Sequence, residues 1–211
     1  MIELLAPPVR SPWWSRPAPL LALGYSLLVG AWILASPPFA HPDEEDHYLR
    51  ALSLGLGVWV GEPAFFPLTP GVGARAWARE AYVRSTTTFV RVPAGLSPAG
   101  FACNRGRPGL SAACANDVRP AAHEDLAFVM TGKYAPTAYL VPGALLRAIH
   151  AAPVGSLIGR LGSCAVPLAL VLVAGTVCSA GRVRRAGLLL VLTPTAIATI
   201  ASLNPSGLEI G

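Results

Sequence analysis

The 211 residues are 53% hydrophobic and only 13% charged, with a mean hydropathy of +0.53 and a formal net charge of +5. That polarity is too low for an ordinary soluble domain of this length, so a membrane is the expected solvent. The basic excess lies beside apolar stretches, which makes it an orientation signal and argues against nucleic acid as a partner.

Residues 1–16 carry Arg10, Arg16, Trp13 and Trp14 and read as a short cytoplasmic tail with tryptophans suited to the membrane interface. The charge-free stretch 17–40 predicts the first transmembrane helix. Pro38 occupies the third-last position before Ala40, which spoils a small-residue cleavage site, so an uncleaved anchor is expected. Residues 41–133 then form a 93-residue extracytoplasmic loop with nine basic and nine acidic residues. Pro42 followed by Asp43, Glu44, Glu45 and Asp46 is a helix-start pattern, and a helix is expected until Gly61 and Pro63 stop it. Residues 63–73 read as loop, 74–84 as a short amphipathic helix, and Thr86–Val92 has strand-like composition. Residues 93–120, rich in Gly, Pro and Ala, are expected to be irregular. They hold Cys103 and Cys114, whose disulfide in an oxidising compartment would contribute about 3 kcal/mol.

The apolar stretch from Tyr134 to Leu146 has 13 residues and contains Pro136, Pro142 and Gly143. It is too short to span, so 134–150 is read as an interfacial or re-entrant helix. Charge-free stretches at 161–181 and 186–208 place the second and third transmembrane helices at 157–181 and 186–203. Cys164 and Cys178 read as small packing residues, and Gly155-x-x-x-Gly159 as a site where helices can approach closely. Arg182, Arg184 and Arg185 put the connecting loop, 182–185, in the cytoplasm, so 204–211 returns to the outer face. With no polar tail after that segment, the chain is expected to continue beyond Gly211. The expected fold is an all-α polytopic membrane protein with three transmembrane helices, one interfacial helix and a large extracytoplasmic loop of short helices and irregular structure.

The chemically loaded segment is His41–Arg50. Helical spacing brings Asp43, His47 and Arg50 near one face, and Glu44, His47 and Tyr48 into an overlapping group. Such a group can bind a divalent cation, act as a general base on a hydroxyl, or hold a phosphate through Arg50. The structural alternative is that the acids complement a helix dipole, with Arg50 paired to Asp46 and His47 solvated. Glu45 and Asp46 are adequately explained by helix initiation and water. No H-E-x-x-H, P-loop, G-x-S-x-G or paired C-x-x-C occurs.

Pro42-Asp43-Glu44-x-x-His47-x-x-Arg50 after a first span resembles the P-D-E-x-x-H-x-x-R motif of a bacterial multi-spanning family catalogued as domain of unknown function 2142. Tyr134-x-Pro136-x-x-Tyr139-Leu140, Asn204-Pro205-x-Gly207-Leu208-Glu209 and the external cysteine pair agree with it. Ser206 departs from the resemblance, since an Asp is frequent there. The family is similar in plan to GT-C glycosyltransferases, which use polyprenyl-phosphate sugars. The resemblance therefore implies a bacterial plasma-membrane enzyme acting at the extracytoplasmic face. Asp43 or Glu44 would act as base or cation ligand; His47, Tyr48, Arg50, Tyr134, Asn204 and Glu209 would bind substrate. Partners would be the lipid bilayer and a polyprenyl-phosphate-linked sugar. Three spans are too few for a complete GT-C core. The competing expectation is a non-catalytic component, such as a transporter or flippase subunit or an envelope assembly scaffold. The three spans are expected to carry no charge, which weakens the transporter version.

Overall fold

The computed structural model describes residues 17–63, 81–83, 85–105, 107, 109–178 and 193–207. Helix α1 (Pro17–Ala35) begins on a proline suited to a first turn and ends before Pro37 and Pro38. It is apolar all round, so only one stripe is covered by protein. Tyr25, Val29 and Ile33, four residues apart, pack with Cys164, Val171 and Ile200, while Leu23, Leu27 and Leu34 stay exposed.

Helix α2 (Glu44–Gly55) is shorter than the expected 42–60. Gly57, at φ 85°, stops it: the Gly57 N–H bonds the Leu54 carbonyl and the Val58 N–H bonds the Ser53 carbonyl, a Schellman closure that satisfies the last turn. At the other end Pro42 lies outside the helix, and Asp43 precedes it at φ 55°.

The expectation of an all-α fold is corrected by a three-stranded antiparallel sheet in the order β1 (Glu62–Pro63), β2 (Thr88–Val92), β3 (Asp125–Val129). Phe89 faces Phe128 across the register, and Val90, Val92 and Val129 turn inward onto α2. The strand-like composition of Thr86–Val92 is thus realised. Its partner β3 comes from more than 30 residues downstream, a pairing no local pattern announces. Of the helix expected over 74–84, residues 81–83 are helical and the remainder lies outside the described residues.

A 3₁₀ turn (Pro136–Tyr139) leads into α3 (Leu140–Leu146), and α4 (Ala152–Cys178) follows. Among the described residues α4 alone has a stretch, Ala152–Ala174, long and apolar enough to cross a bilayer. Of the three expected spans, the second corresponds to this candidate. α1 contributes a shorter apolar helix, and of 186–203 only the end is described, as α5 (Pro194–Ile200), capped by the Thr193 hydroxyl accepting from the Ala196 N–H. Glycines let the layers close up. A Cβ on Gly143 would sit 2.6 Å from the Ala51 carbonyl oxygen, and Gly155 receives the Tyr48 ring. The Gly155-x-x-x-Gly159 pair thus serves packing within the chain, Gly159 lying against Leu203.

Candidate functional site

The segment between α1 and α2 is organised by a residue outside the P-D-E-x-x-H-x-x-R motif. Arg160, on α4, is 2% exposed and faces Glu44, which is fully buried. Its Nε donates to Glu44 Oε1 at 2.5 Å and its Nη2 to Oε2 at 2.8 Å, a bidentate fork. The same guanidinium donates to the carbonyls of Ile33 (3.2 Å), Ser36 (2.7 Å) and Pro37 (2.6 Å), so it also closes the open C-terminal end of α1. Glu44 further accepts from Ser156 Oγ and the His41 N–H. Its carboxylate is therefore saturated and turned away from solvent. The expected charge-free second span is corrected accordingly: Arg160 lies inside the candidate span, and its charge is neutralised by the acid at the start of α2.

Asp43 has the opposite environment. It is exposed, makes no capping bond, and holds a left-handed backbone that Asp tolerates better than most residues. Phe39, buried, also sits at φ 57° and is held there by Ser156 Oγ on its N–H and Arg105 Nη2 on its carbonyl. The turn that presents Asp43 is thus fastened on both sides.

Asp43, His47, Tyr134, Tyr139, Asn204 and Ser206 line a cleft of about 590 Å³, within the range of small-ligand sites. Asp43, His47 and Tyr134 also border a second cleft of about 210 Å³, with Asp46, Tyr82 and Thr86 on its far side. His47 Nδ1 lies 2.7 Å from the Tyr139 hydroxyl, and the two rings stack at 5.9 Å. Burial lowers the His47 pKa from 6.5 to about 4, against the opposing pull of Asp43 and Glu44, so the imidazole is neutral at pH 7. Burial raises the Tyr139 hydroxyl above its ordinary value and keeps it protonated. Asn204 Oδ1 accepts from the Ser206 N–H, ordering the turn at the cleft's far wall.

Other candidate residues lie elsewhere. Arg50 is buried, with Nη1 on the Trp59 carbonyl and Nη2 on the Tyr134 carbonyl, both at 2.7 Å, and it bridges two loops instead of pairing with Asp46. It positions Tyr134 and leaves the cleft lining to others. Tyr48 is a core residue, edge-on to Phe39 at 5.1 Å. Glu45 and Asp46 dock neighbouring segments. Arg105 lies 3.5 Å from Glu45, and Asp46 accepts the Met130 N–H, which ties α2 to the end of β3. The expected disulfide is present between Cys103 and Cys114, and it frames the loop that carries Arg105. Glu209 lies outside the described residues. No three His, Cys, Asp or Glu side chains gather around a potential metal position among the described residues.

The sequence model of the family described as "Predicted membrane protein (DUF2142)" matches residues 26–211, nearly the whole chain. The chain belongs to the DUF2142 family. No curated protein and no solved structure matches it. Arg160 was detectable in principle, since a lone ionisable residue at the edge of an apolar helix calls for a partner.

Proposed function

We propose that this DUF2142 protein is a membrane glycosyltransferase of GT-C plan, transferring a sugar from a polyprenyl-phosphate donor to a cell-envelope glycan or lipid at the extracytoplasmic face. One observation carries the reading: the motif's two neighbouring acids have separate environments. Glu44 is locked into Arg160, while Asp43 is presented, solvent-facing, into a cleft shared with His47, Tyr134 and Asn204. Asp43 is then the base. The acceptor oxygen attacks the anomeric carbon, the bond from that carbon to the phosphate oxygen breaks, polyprenyl phosphate leaves with the electron pair, and Asp43 takes the hydroxyl proton. In this scheme the Tyr139 hydroxyl, 2.7 Å from Nδ1, donates to it, so that neutral His47 keeps an Nε2–H to donate to the leaving phosphate, and the Asn204 amide is a second donor. Glu44 is a positioning residue in this scheme.

The test is Asp43→Asn in the full-length protein, because Asn keeps the size and tolerates the left-handed backbone. Transfer of labelled sugar should fall by about 10²-fold or more at unchanged thermal stability. Transfer at the parental rate would refute the assignment, and absence of donor-dependent labelling by the unaltered protein would favour a non-catalytic scaffold.

A further inference from the structure

Beyond the cleft, the described surface carries an apolar tip that the site does not use. After the Gly57 closure of α2, Leu56, Trp59 and Val60 are 44%, 60% and 64% exposed, Val58 is exposed as well, and none of residues 56–60 is charged. Beside it, α3 exposes Leu140, Val141 and Leu145. Two close backbone approaches set the depth of this surface. Gly55, at the end of α2, abuts Gly143 of α3, and Pro142 of α3 abuts Gly162 of α4, where a Cβ would lie 2.8 Å from the Pro142 Cα. Gly162 is two residues past Arg160, the level at which the C-terminal end of α1 is closed. Both ends of α2 are therefore tied to the N-terminal half of α4, Glu44 directly and Gly55 through α3, and the tip follows on that side. On α4, Leu161 is exposed next in sequence to Gly162, which meets Leu145 of α3. Arg147, exposed at the end of α3 with its stem against Gly55, supplies a cation that can reach lipid phosphates while its methylenes stay on apolar surface.

We propose that Leu56–Val60 and the outer face of α3 form one lipid-contact surface, seated at the boundary of headgroups and acyl chains on the α2 side of the bilayer. Apolar side chains clustered this way on an irregular tip match an interfacial anchor, and a tryptophan is the residue type favoured at that depth. Arg50 couples the anchor to the cleft, since it holds the Trp59 and Tyr134 carbonyls together. The proposal rests on membership in a membrane-protein family and stands whether or not the cleft transfers sugar.

The experiment is spin-label accessibility of the full-length protein in nanodiscs of phosphatidylcholine and phosphatidylglycerol. Labels are placed by Val58→Cys and Val60→Cys, with Cys164 and Cys178 changed to Ala and the disulfide kept. Leu170→Cys on α4 serves as the lipid reference and Leu126→Cys on the exposed face of β3 as the aqueous one. Positions 58 and 60 should show high oxygen collision and a several-fold lower collision rate with a water-soluble nickel chelate than position 126. Accessibility at 58 and 60 equal to that at 126 would overturn the proposal. Quenching of tryptophan emission by brominated lipid gives a label-free check: it should drop in Trp59→Phe, and unchanged quenching would also overturn it.

Discussion

Replacing Arg160 with Met removes the cation while keeping most of the side-chain volume. Glu44 would then be a fully buried carboxylate left with Ser156 Oγ and the His41 N–H as partners, and the carbonyls of Ile33, Ser36 and Pro37 would lose theirs. Removing one partner of a buried pair typically costs about 3–5 kcal/mol, because the remaining charge has neither water nor a counter-ion. Each orphaned carbonyl that water cannot reach adds about 1–3 kcal/mol. We therefore expect Arg160→Met to lower the unfolding free energy by at least about 3 kcal/mol. Glu44→Leu alone should be comparably harmful, since it strands a buried guanidinium. The double variant should be more stable than the sum of the two losses predicts, with a coupling of at least about 1 kcal/mol, because two apolar side chains need no compensation. The carbonyls keep it below the parent protein. Reversible unfolding in mixed micelles, followed by tryptophan emission, measures all four proteins. An Arg160→Met variant within about 1 kcal/mol of the parent, or strictly additive losses, would refute the view that this pair fastens α2 to the membrane helix.

Gly143→Ala should destabilise by about 1–3 kcal/mol in the same assay, because the new methyl meets the Ala51 carbonyl and forces α2 and α3 apart. Gly159→Ala should cost less, since its nearest neighbour is the movable tip of Leu203. Replacing Cys103 and Cys114 with Ser should remove about 3 kcal/mol, as expected for opening a closure over 11 positions, and should abolish the mobility difference between reducing and non-reducing electrophoresis. His47 makes stability pH-dependent: its folded pKa lies below its unfolded one, so the unfolded chain binds the extra proton between pH 6.5 and about 4. Its contribution is complete above pH 6.5 and falls away as pH drops toward 4, by on the order of 3 kcal/mol. His47→Gln should flatten that part of the curve, and an unchanged pH profile would show that His47 is not its source.

Local chemistry made several features readable in advance. A helix starting at about Pro42 follows from a proline and four successive acids, and the observed α2 begins two residues later, at Glu44. The membrane solvent follows from composition, and the family from three spaced motifs. The Cys103–Cys114 pairing follows from two cysteines in a segment with little else to order it. The C-terminal limit of α2 is legible too, set by Gly57 ahead of Gly61 and Pro63. Gly57 closes the helix by adopting a left-handed conformation, and that choice leaves Leu56–Val60 as an exposed tip.

The different surroundings of the two motif acids belong to the packing. Asp43 and Glu44 are adjacent carboxylates with the same intrinsic chemistry, and no spacing rule ranks one over the other. A one-residue step at the start of α2 points Glu44 into the bundle, where Arg160, 116 positions along the chain, neutralises it, and turns Asp43 toward the cleft. The pairing of β2 with β3 and the meeting of His47 with Tyr139, 92 positions away, arise in the same way. Composition, turn chemistry and helix-start signals act over a few residues and can be read along the chain. Which buried charge finds its counter-ion depends on contacts between distant segments, and those form only when the helices and sheet close around them.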